Sequence, residues 1–179
     1  MHNYLKPFFK DKKVLITGHS GFKGRWLCRI LRLLNCEIHG FSSYPVDFIG
    51  FGIKNKSDLI DFEYVGDICN YDLKTLIKNI SPDYIFHFAA QALVRESIKN
   101  PIKTYNTNTM GTCYLLDALK AFENNSKVVL ITSDKVYENK EWLWGYRESD
   151  QLGGKDPYSA SKVCTEIISH SYIESFFKN

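Results

Sequence analysis

The 179-residue sequence has no CxxC pair: its five cysteines, Cys28, Cys36, Cys69, Cys113 and Cys164, are widely spaced. That spacing suggests neither a zinc site nor a disulfide framework, so they read as reduced, mostly buried small residues, and no metal site is expected. No apolar run approaches the roughly 20 residues of a membrane-spanning helix, and the opening MHNYLKPFFKDKK is too polar for a secretory leader. There is no pole of charge either. The 23 basic and 20 acidic residues give a net charge of +3 and lie mixed along the chain, which removes the footprint of a nucleic-acid binder. No internal repeat or low-complexity stretch occurs. A soluble, cytoplasmic protein without a membrane or nucleic-acid partner is expected, and 44% hydrophobic and 15% aromatic residues suffice for one domain with a real core.

What is present is an alternation of strands and helices. KVLIT (Lys13 to Thr17) is continuously apolar, as a strand buried on both faces of a parallel sheet would be. From Lys23 to Leu34, apolar Trp26, Leu27, Ile30, Leu31 and Leu34 recur at helical spacing. CEIHGFS is a second strand, and residues 44 to 59 form a Gly-, Pro- and Lys-rich loop with at most one short helix. FEYVGDI is a third strand, YDLKTLIKNI a helix, DYIFHFAA a fourth strand and KVVLITS a buried fifth. Between the last two lies a helix from Pro101 to Phe122, and a final helix runs from Pro157 to Phe177. Five such alternations predict an α/β fold, a Rossmann-like doubly wound parallel sheet with right-handed crossovers.

Between the first strand and first helix lies TGHSGFKGRW, with Gly18, Gly21 and Gly24 in a GxxGxxG pattern and Phe22 and Lys23 between them. Glycines permit a tight turn and let backbone N–H groups and a helix N-terminus approach a pyrophosphate. In this strand, turn and helix context the pattern points to dinucleotide binding, against a merely structural turn. The acid that holds the adenosine ribose belongs at the end of the second strand. That place holds FSSYP, with no acid before Asp47 and no arginine for a 2′-phosphate, so NAD is favoured over NADP. Asp67 and Ile68 are the next candidates, at the adenine edge, with Asp67 as a helix cap the alternative. Ala89, Ala90 and Gln91 end the fourth strand, and the two alanines are small residues where a cofactor could pass, or where packing alone wants them.

DPYSASK places Tyr158 and Lys162 four residues apart, on one face of a helix. A tyrosine is a poor base at neutral pH unless a nearby ammonium favours its phenolate, which can then take a hydroxyl proton as hydride leaves for the cofactor. Upstream, ITSDKVYENKEW runs an apolar strand straight into Ser133, Asp134 and Lys135. Charges at the end of a buried strand are costly unless paired or used.

Together these motifs match the extended short-chain dehydrogenases/reductases. TGHSGFKGRWL, FAAQALVRES, TYNTNTMGT and TSDKVYENKEWLWGYRESDQLGGKDPYSASK resemble the signatures of the CDP-glucose 4,6-dehydratases, over essentially the whole chain. Related dehydratases typically carry Thr-Asp-Glu where this chain has Ser133, Asp134 and Lys135. The resemblance implies NAD as cofactor, CDP-glucose as substrate and a 4-keto-6-deoxy sugar nucleotide as product. It implies that Tyr158 deprotonates the C4 hydroxyl with Ser133 bonded to that oxygen. Asp134, protonated, serves the departing C6 hydroxyl, and Lys135 removes the C5 proton or stabilises the enolate; an ion pair of Lys135 with Asp134 or Glu138 is the structural alternative. Asn108 would organise the active-site helix. Arg95 and Arg147 could meet phosphate or sugar, while Trp142, Trp144 and Tyr146 fit substrate contact or loop packing equally.

Family members are about twice this length, with a C-terminal lobe holding the nucleotide. The expectation is therefore a single NAD-binding, catalytic domain over residues 1–179 that lacks that lobe and turns over poorly alone. A sugar-nucleotide epimerase on the same scaffold, which needs Tyr158 and Lys162 but gains nothing from Asp134 and Lys135, is the first alternative. A non-catalytic NAD-binding module is the second. The family's usual homo-oligomer contact would use the helices starting near Pro101 and Pro157, where Ile167, Ile168, Tyr172 and Phe176 either join a partner or cover the sheet.

Overall fold

Strand β1 (Lys13–Thr17) lies at the centre of the sheet and has four of its residues, Val14, Leu15, Ile16 and Thr17, wholly buried. Its neighbours are β2 (Glu37–Ser42) on one side and β4 (Tyr84–His87) on the other, with β3 (Phe62–Val65) beyond β2 and β5 (Lys127–Leu130) beyond β4. All four pairings are parallel, from Lys13↔Glu37 to His87↔Leu130. The computed structural model describes residues 2–46, 55–121 and 125–178. Asp47, most of the loop after β2, and Phe122 lie outside them.

The order β3-β2-β1-β4-β5 reverses direction between β1 and β4. At such a switch point two strands send their following loops apart and leave a crevice at their C-terminal ends. The Rossmann-like α/β fold expected from the alternation is present. The chain packs as two compact units, one of residues 1–89 with 121–131 and one of residues 90–120 with 132–179.

The first unit holds the sheet with α1 (His2–Phe9), α2 (Phe22–Leu33) and α3 (Leu73–Ile80). Its core joins Val14, Ile16, Cys28, Leu31, Leu34 and Ile38, among others. The face that α2 buries matches the expected one only in part: Leu31 and Leu34 are buried and Leu27 packs against the core. Gly24, Cys28 and Leu31 turn inward, at i, i+4 and i+7, whereas Trp26 and Ile30 are exposed, Ile30 at 42%. A glycine in the first turn sets this face, because it alone lets the helix approach the loop after β1 (below). Helix α1 carries Pro7 within its span and is an element that the sequence reading does not anticipate. Tertiary contacts hold it: Phe9 lies 4.7 Å from the Tyr84 ring, and the Phe8 and Phe9 carbonyls accept bonds from Tyr84 and Cys36.

Strand β5 corrects a second expectation. Val128 and Val129 are 36% and 41% exposed, because the strand is the sheet's edge. All five cysteines are free, but only Cys28 and Cys36 are buried while the other three are half-buried. Burial pushes the Cys28 thiol up to about 12, which keeps it protonated and inert.

The second unit is helical. It comprises α4 (Val94–Lys99), α5 (Pro101–Tyr105), a π-helical turn (Asn106–Met110), α6 (Gly111–Lys120), a short 3₁₀ turn (Asp134–Val136), α7 (Pro157–Tyr172) and a closing π turn (Ile173–Phe177). The single helix expected from Pro101 onward is thus interrupted by a π turn, and α7 packs on α4, α5 and α6.

Candidate active site

The turn after β1 needs its glycines for stated reasons. Gly18 has φ +73°, and a Cβ there would lie 2.7 Å from the Ala89 nitrogen and the Phe88 carbonyl carbon. A Cβ on Gly24 would stand 2.4 Å from the Gly18 oxygen. Gly21 is the N-cap of α2 and donates to the Gly18 carbonyl at 3.0 Å. Phe22 and Lys23, the first residues of α2, are exposed. The result is a loop without side-chain bulk, opening onto a 12-residue helix whose first N–H groups point outward. A pyrophosphate needs this arrangement, and the cradle fits a dinucleotide.

Beneath that loop lies a buried pair that sequence pattern did not flag. His19 is wholly buried, with Nε2 2.9 Å from Glu63 Oε1 of β3, and Glu63 also accepts from Val46 N at 2.8 Å. The His19 ring lies where a Cβ on Gly40 would go, which is why β2 carries glycine at that point. Thr17, the last residue of β1, bonds His87 at 2.6 Å and accepts from Ala89 N at 3.2 Å, joining the ends of β1 and β4.

Asp67 and Ile68 fall in the turn after β3, not in the strand. Asp67 Oδ1 accepts from Cys69 N at 2.9 Å, closing an Asx turn, while Ile68 is buried. The cap of α3 is Asp72, whose carboxylate accepts from Thr75 N; hydrogen bonding to Thr75 holds its pKa below the ordinary value.

In the second unit, Gln91 is fastened by every polar group it has. Its backbone N donates to Asn108 Oδ1 at 2.7 Å and its carbonyl accepts from Asn108 Nδ2 at 3.0 Å. Its side chain donates to Thr104 Oγ1 and the Leu93 carbonyl and accepts from Leu93 N. The carboxamide is therefore structural rather than open to a ligand, and Ala90 precedes it in the same turn. Asn108 sits in the π turn, 1% exposed, and also bonds Ser161 on α7. Local π turns concentrate at functional sites, and here the extra residue aims Asn108 inward.

Tyr158 and Lys162 lie one turn apart on α7, Tyr158 half-buried and Lys162 at 6% exposure. The helix starts sharply because Asp156 caps it, accepting from Ser159 N at 3.0 Å and Ser159 Oγ at 2.6 Å, and Pro157 follows at the first helical position. Burial alone would raise the Asp156 pKa, but the Ser159 bonds and the Lys135 charge outweigh it and the net shift is downward. A Cβ on Gly154 would stand 2.3 Å from Ala160 N, so the loop before α7 can close on the helix only through glycine.

Ser133 ends the β5 connection as N-cap of the 3₁₀ turn. Its hydroxyl donates to Asp134 Oδ1 at 3.2 Å and accepts from Lys135 N at 3.2 Å. Asp134 and Lys135 are exposed, and Glu138 pairs with Lys140 rather than Lys135. Downstream, Tyr137 stacks on Tyr146 and Trp142 on Trp144, and a tilted contact between Trp142 and Tyr146 joins the two pairs, with ring centroids 5.2 to 5.4 Å apart. Arg95 and Arg147 are exposed, and Arg147 N donates to Asp150. A pocket of about 570 Å³ is lined by Val136, Tyr137, Glu148, Leu152, Glu166, Ile167 and His170, and by none of the expected catalytic residues. Among the described residues, no group of three His, Cys, Asp or Glu is placed to hold a metal ion, and no helix is long and apolar enough to cross a membrane.

A 3-2-1-4-5 parallel sheet with a glycine turn at its switch point, and a helix bearing Tyr158 and Lys162, define a Rossmann-like protein of the short-chain dehydrogenase/reductase class. The sequence profile described as GDP-mannose 4,6 dehydratase matches residues 15–177, and the chain belongs to that family. It is 44% identical over 174 residues to the CDP-glucose 4,6-dehydratase of Salmonella typhimurium, a match covering 96% of this chain and 48% of that protein. It is 30% identical to the CDP-paratose 2-epimerase of Salmonella typhi, over 93% of this chain and 54% of that one. Among solved structures, the UDP-N-acetylglucosamine 4-epimerase of Methanobrevibacter ruminantium in complex with UDP-N-acetylmuramic acid superposes with a TM-score of 0.80 at 28% identity, covering 94% of this chain and 52% of that one. MoeE5 in complex with UDP-glucuronic acid and NAD gives 0.74 at 25% identity, over 89% and 49% of the two chains. The chain spans about half the length of the curated relatives it matches.

Proposed function

We propose that this chain carries the cofactor-binding and catalytic residues of an NAD-dependent nucleotide-sugar 4,6-dehydratase acting on CDP-glucose. The observation that carries the reading is the 44% identity to a CDP-glucose 4,6-dehydratase over nearly the whole chain, together with Ser133, Asp134 and Lys135 at the β5 end. The same reading assigns NAD to the turn of Gly18, Gly21, Phe22, Lys23 and Gly24, with Asp67, Ile68, Ala89 and Ala90 along its path. Gln91 and Asn108 fix the turn that follows Ala90. Bound NAD would accept a hydride from the sugar C4 and return it at C6.

Tyr158 takes the C4 hydroxyl proton, with the Lys162 ammonium one turn away favouring the phenolate. Ser133 steadies the C4 oxygen. Its proton is donated to Asp134 in the structure, so bonding the sugar oxygen exchanges one acceptor for another at little cost. That exchange also frees Asp134, which as the acid hands its proton to the departing C6 hydroxyl. Lys135, as the neutral amine, takes the C5 proton, acidified by the neighbouring C4 ketone, and after exchange with solvent returns a proton to C5 as hydride reaches C6. The exposed apolar residues Ile98, Ile102, Met110 and Tyr114, with Ile167, Ile173 and Phe176, support a homo-oligomer contact on these helices.

The test is incubation with CDP-glucose and NAD in heavy water. A 4-keto-6-deoxy product, detected by its alkaline absorbance and carrying deuterium at C5, is expected. Formation of the C4 epimer without deuterium at C5 would replace this reading with the epimerase. Tight NAD binding without any product, and a biological output that Tyr158→Phe leaves unchanged, would leave a non-catalytic NAD-binding module.

A further inference from the structure

We propose that Ser161 is a positioning residue that locks the start of the catalytic helix to the turn after β4, acting through Asn108. What it positions rests on the dehydratase reading; how it does so rests on the geometry of the second unit. Ser161 is wholly buried, and its hydroxyl donates to the Tyr158 carbonyl at 2.7 Å while accepting from Asn108 Nδ2 at 2.8 Å. Asn108 in turn holds both backbone groups of Gln91, at 2.7 and 3.0 Å. A continuous hydrogen-bonded path therefore runs from the turn beyond β4 to the peptide unit that carries Tyr158. Two threonine hydroxyls, of Thr109 at 3.3 Å and Thr165 at 3.1 Å, donate to the Ser161 carbonyl and keep the serine from sliding along the path.

The chemistry of the junction selects the residue. The Asn108 N–H needs an acceptor and the Tyr158 carbonyl is met by a donor, so the linking group must be both at once and small enough for a wholly buried site. A serine hydroxyl meets those conditions, whereas alanine would leave a buried amide N–H without a partner. Because the linked groups are backbone on one side and a helix start on the other, the turn and Tyr158 move as one body. Displacements near 1 Å at a reacting centre are enough to cost on the order of 100-fold in rate, so this tie governs turnover rather than binding.

The test compares Ser161→Ala with Ser161→Cys, which keeps volume and a weak donor, and with Ser169→Ala, which removes a similar hydroxyl bond to the Thr165 carbonyl farther along α7. With CDP-glucose and NAD, Ser161→Ala should lower kcat by about 10- to 100-fold at unchanged KM. Ser161→Cys should fall in between and Ser169→Ala should match the parent. Combined with Asn108→Ala, Ser161→Ala should add less than about twofold, since both cut one path. Amide exchange supplies a readout that needs no turnover: Ser161→Ala should speed exchange at residues 90–93 together with residues 158–162. Unchanged exchange at 90–93, in Ser161→Ala or in Ser161→Cys should the alanine variant not fold, overturns the coupling whatever the activity. So do additive effects in the double variant. Coupled exchange with product formation indifferent to Tyr158→Phe would retain the tie and remove the dehydratase reading.

Discussion

Each residue proposed for chemistry predicts a different failure. Tyr158→Phe removes the group that accepts the C4 proton, so all product formation should fall by about 10²- to 10⁴-fold. Asp134→Asn leaves the C4 step intact and should let reduced cofactor and a 4-keto hexose accumulate, read as cofactor absorbance without dehydrated product. Equal loss of both signals would assign Asp134 to the hydride step instead. Asp156 acts through the helix it caps, and Asp156→Ala should cost about 1 kcal/mol at neutral pH, measured by denaturant unfolding. Its folded pKa lies below the ordinary carboxylate value of about 3.9, so the stability it contributes is complete above that value. That contribution disappears as the pH falls through the folded pKa, and the parent and variant curves should converge in acid. Tyr158, Lys162 and Ser133 were legible from residue type and spacing. Asp156, Ser161 and His19 were not, because their roles come from partners that folding brings to them.

At the scale of elements, backbone conformation and close approach decide where glycine is needed. Gly18→Ala would place a Cβ against Ala89 at a positive φ, and should cost at least about 2 kcal/mol and weaken NAD binding, seen by calorimetry and thermal unfolding. The burial of α2 gives a sharper comparison. Leu31→Ala should cost about 2–5 kcal/mol and the adjacent Ile30→Ala under about 1, although both belong to the same apolar pattern; similar costs would restore the face expected from the sequence. Periodicity located α2 and α3 within a residue or two of their ends and placed the start of α7, while the expected end at Phe177 lies past Tyr172, at the end of the closing π turn. It did not reveal α4 or the π turn before α6, since a π turn shifts the register by one residue without changing the amino-acid types. Charges at the β5 end also take a different meaning. Val128 and Val129 lie on an edge and Asp134 and Lys135 are exposed, so burial imposes no penalty there and the case for chemistry rests on the family and on the Ser133 geometry.

For the whole molecule, exposed apolar side chains on α5 and α7 predict association. Ile102→Asp combined with Ile167→Asp should lower the mass seen by sedimentation without shifting the thermal midpoint by more than a degree or two, whereas an unchanged mass would remove these helices as the contact. The relatives matched are about twice as long, so their activities are those of chains with further structure, and the deuterium experiment measures what these residues do themselves. The strand and helix alternation, the glycine turn, the Tyr158 and Lys162 spacing and the Ser133 triplet can all be read along the chain, because each depends on residues within a few positions of one another. It takes the folded chain to show that α2 buries Cys28 rather than Trp26, that β5 is an edge, that Glu63 meets His19, and that Gln91, Asn108 and Ser161 form one path to Tyr158. The polar contacts of His19 with Glu63, Gln91 with Asn108 and Asn108 with Ser161 join residues 17 to 53 positions apart, and no local pattern encodes such pairings until folding brings the partners within reach of each buried polar group.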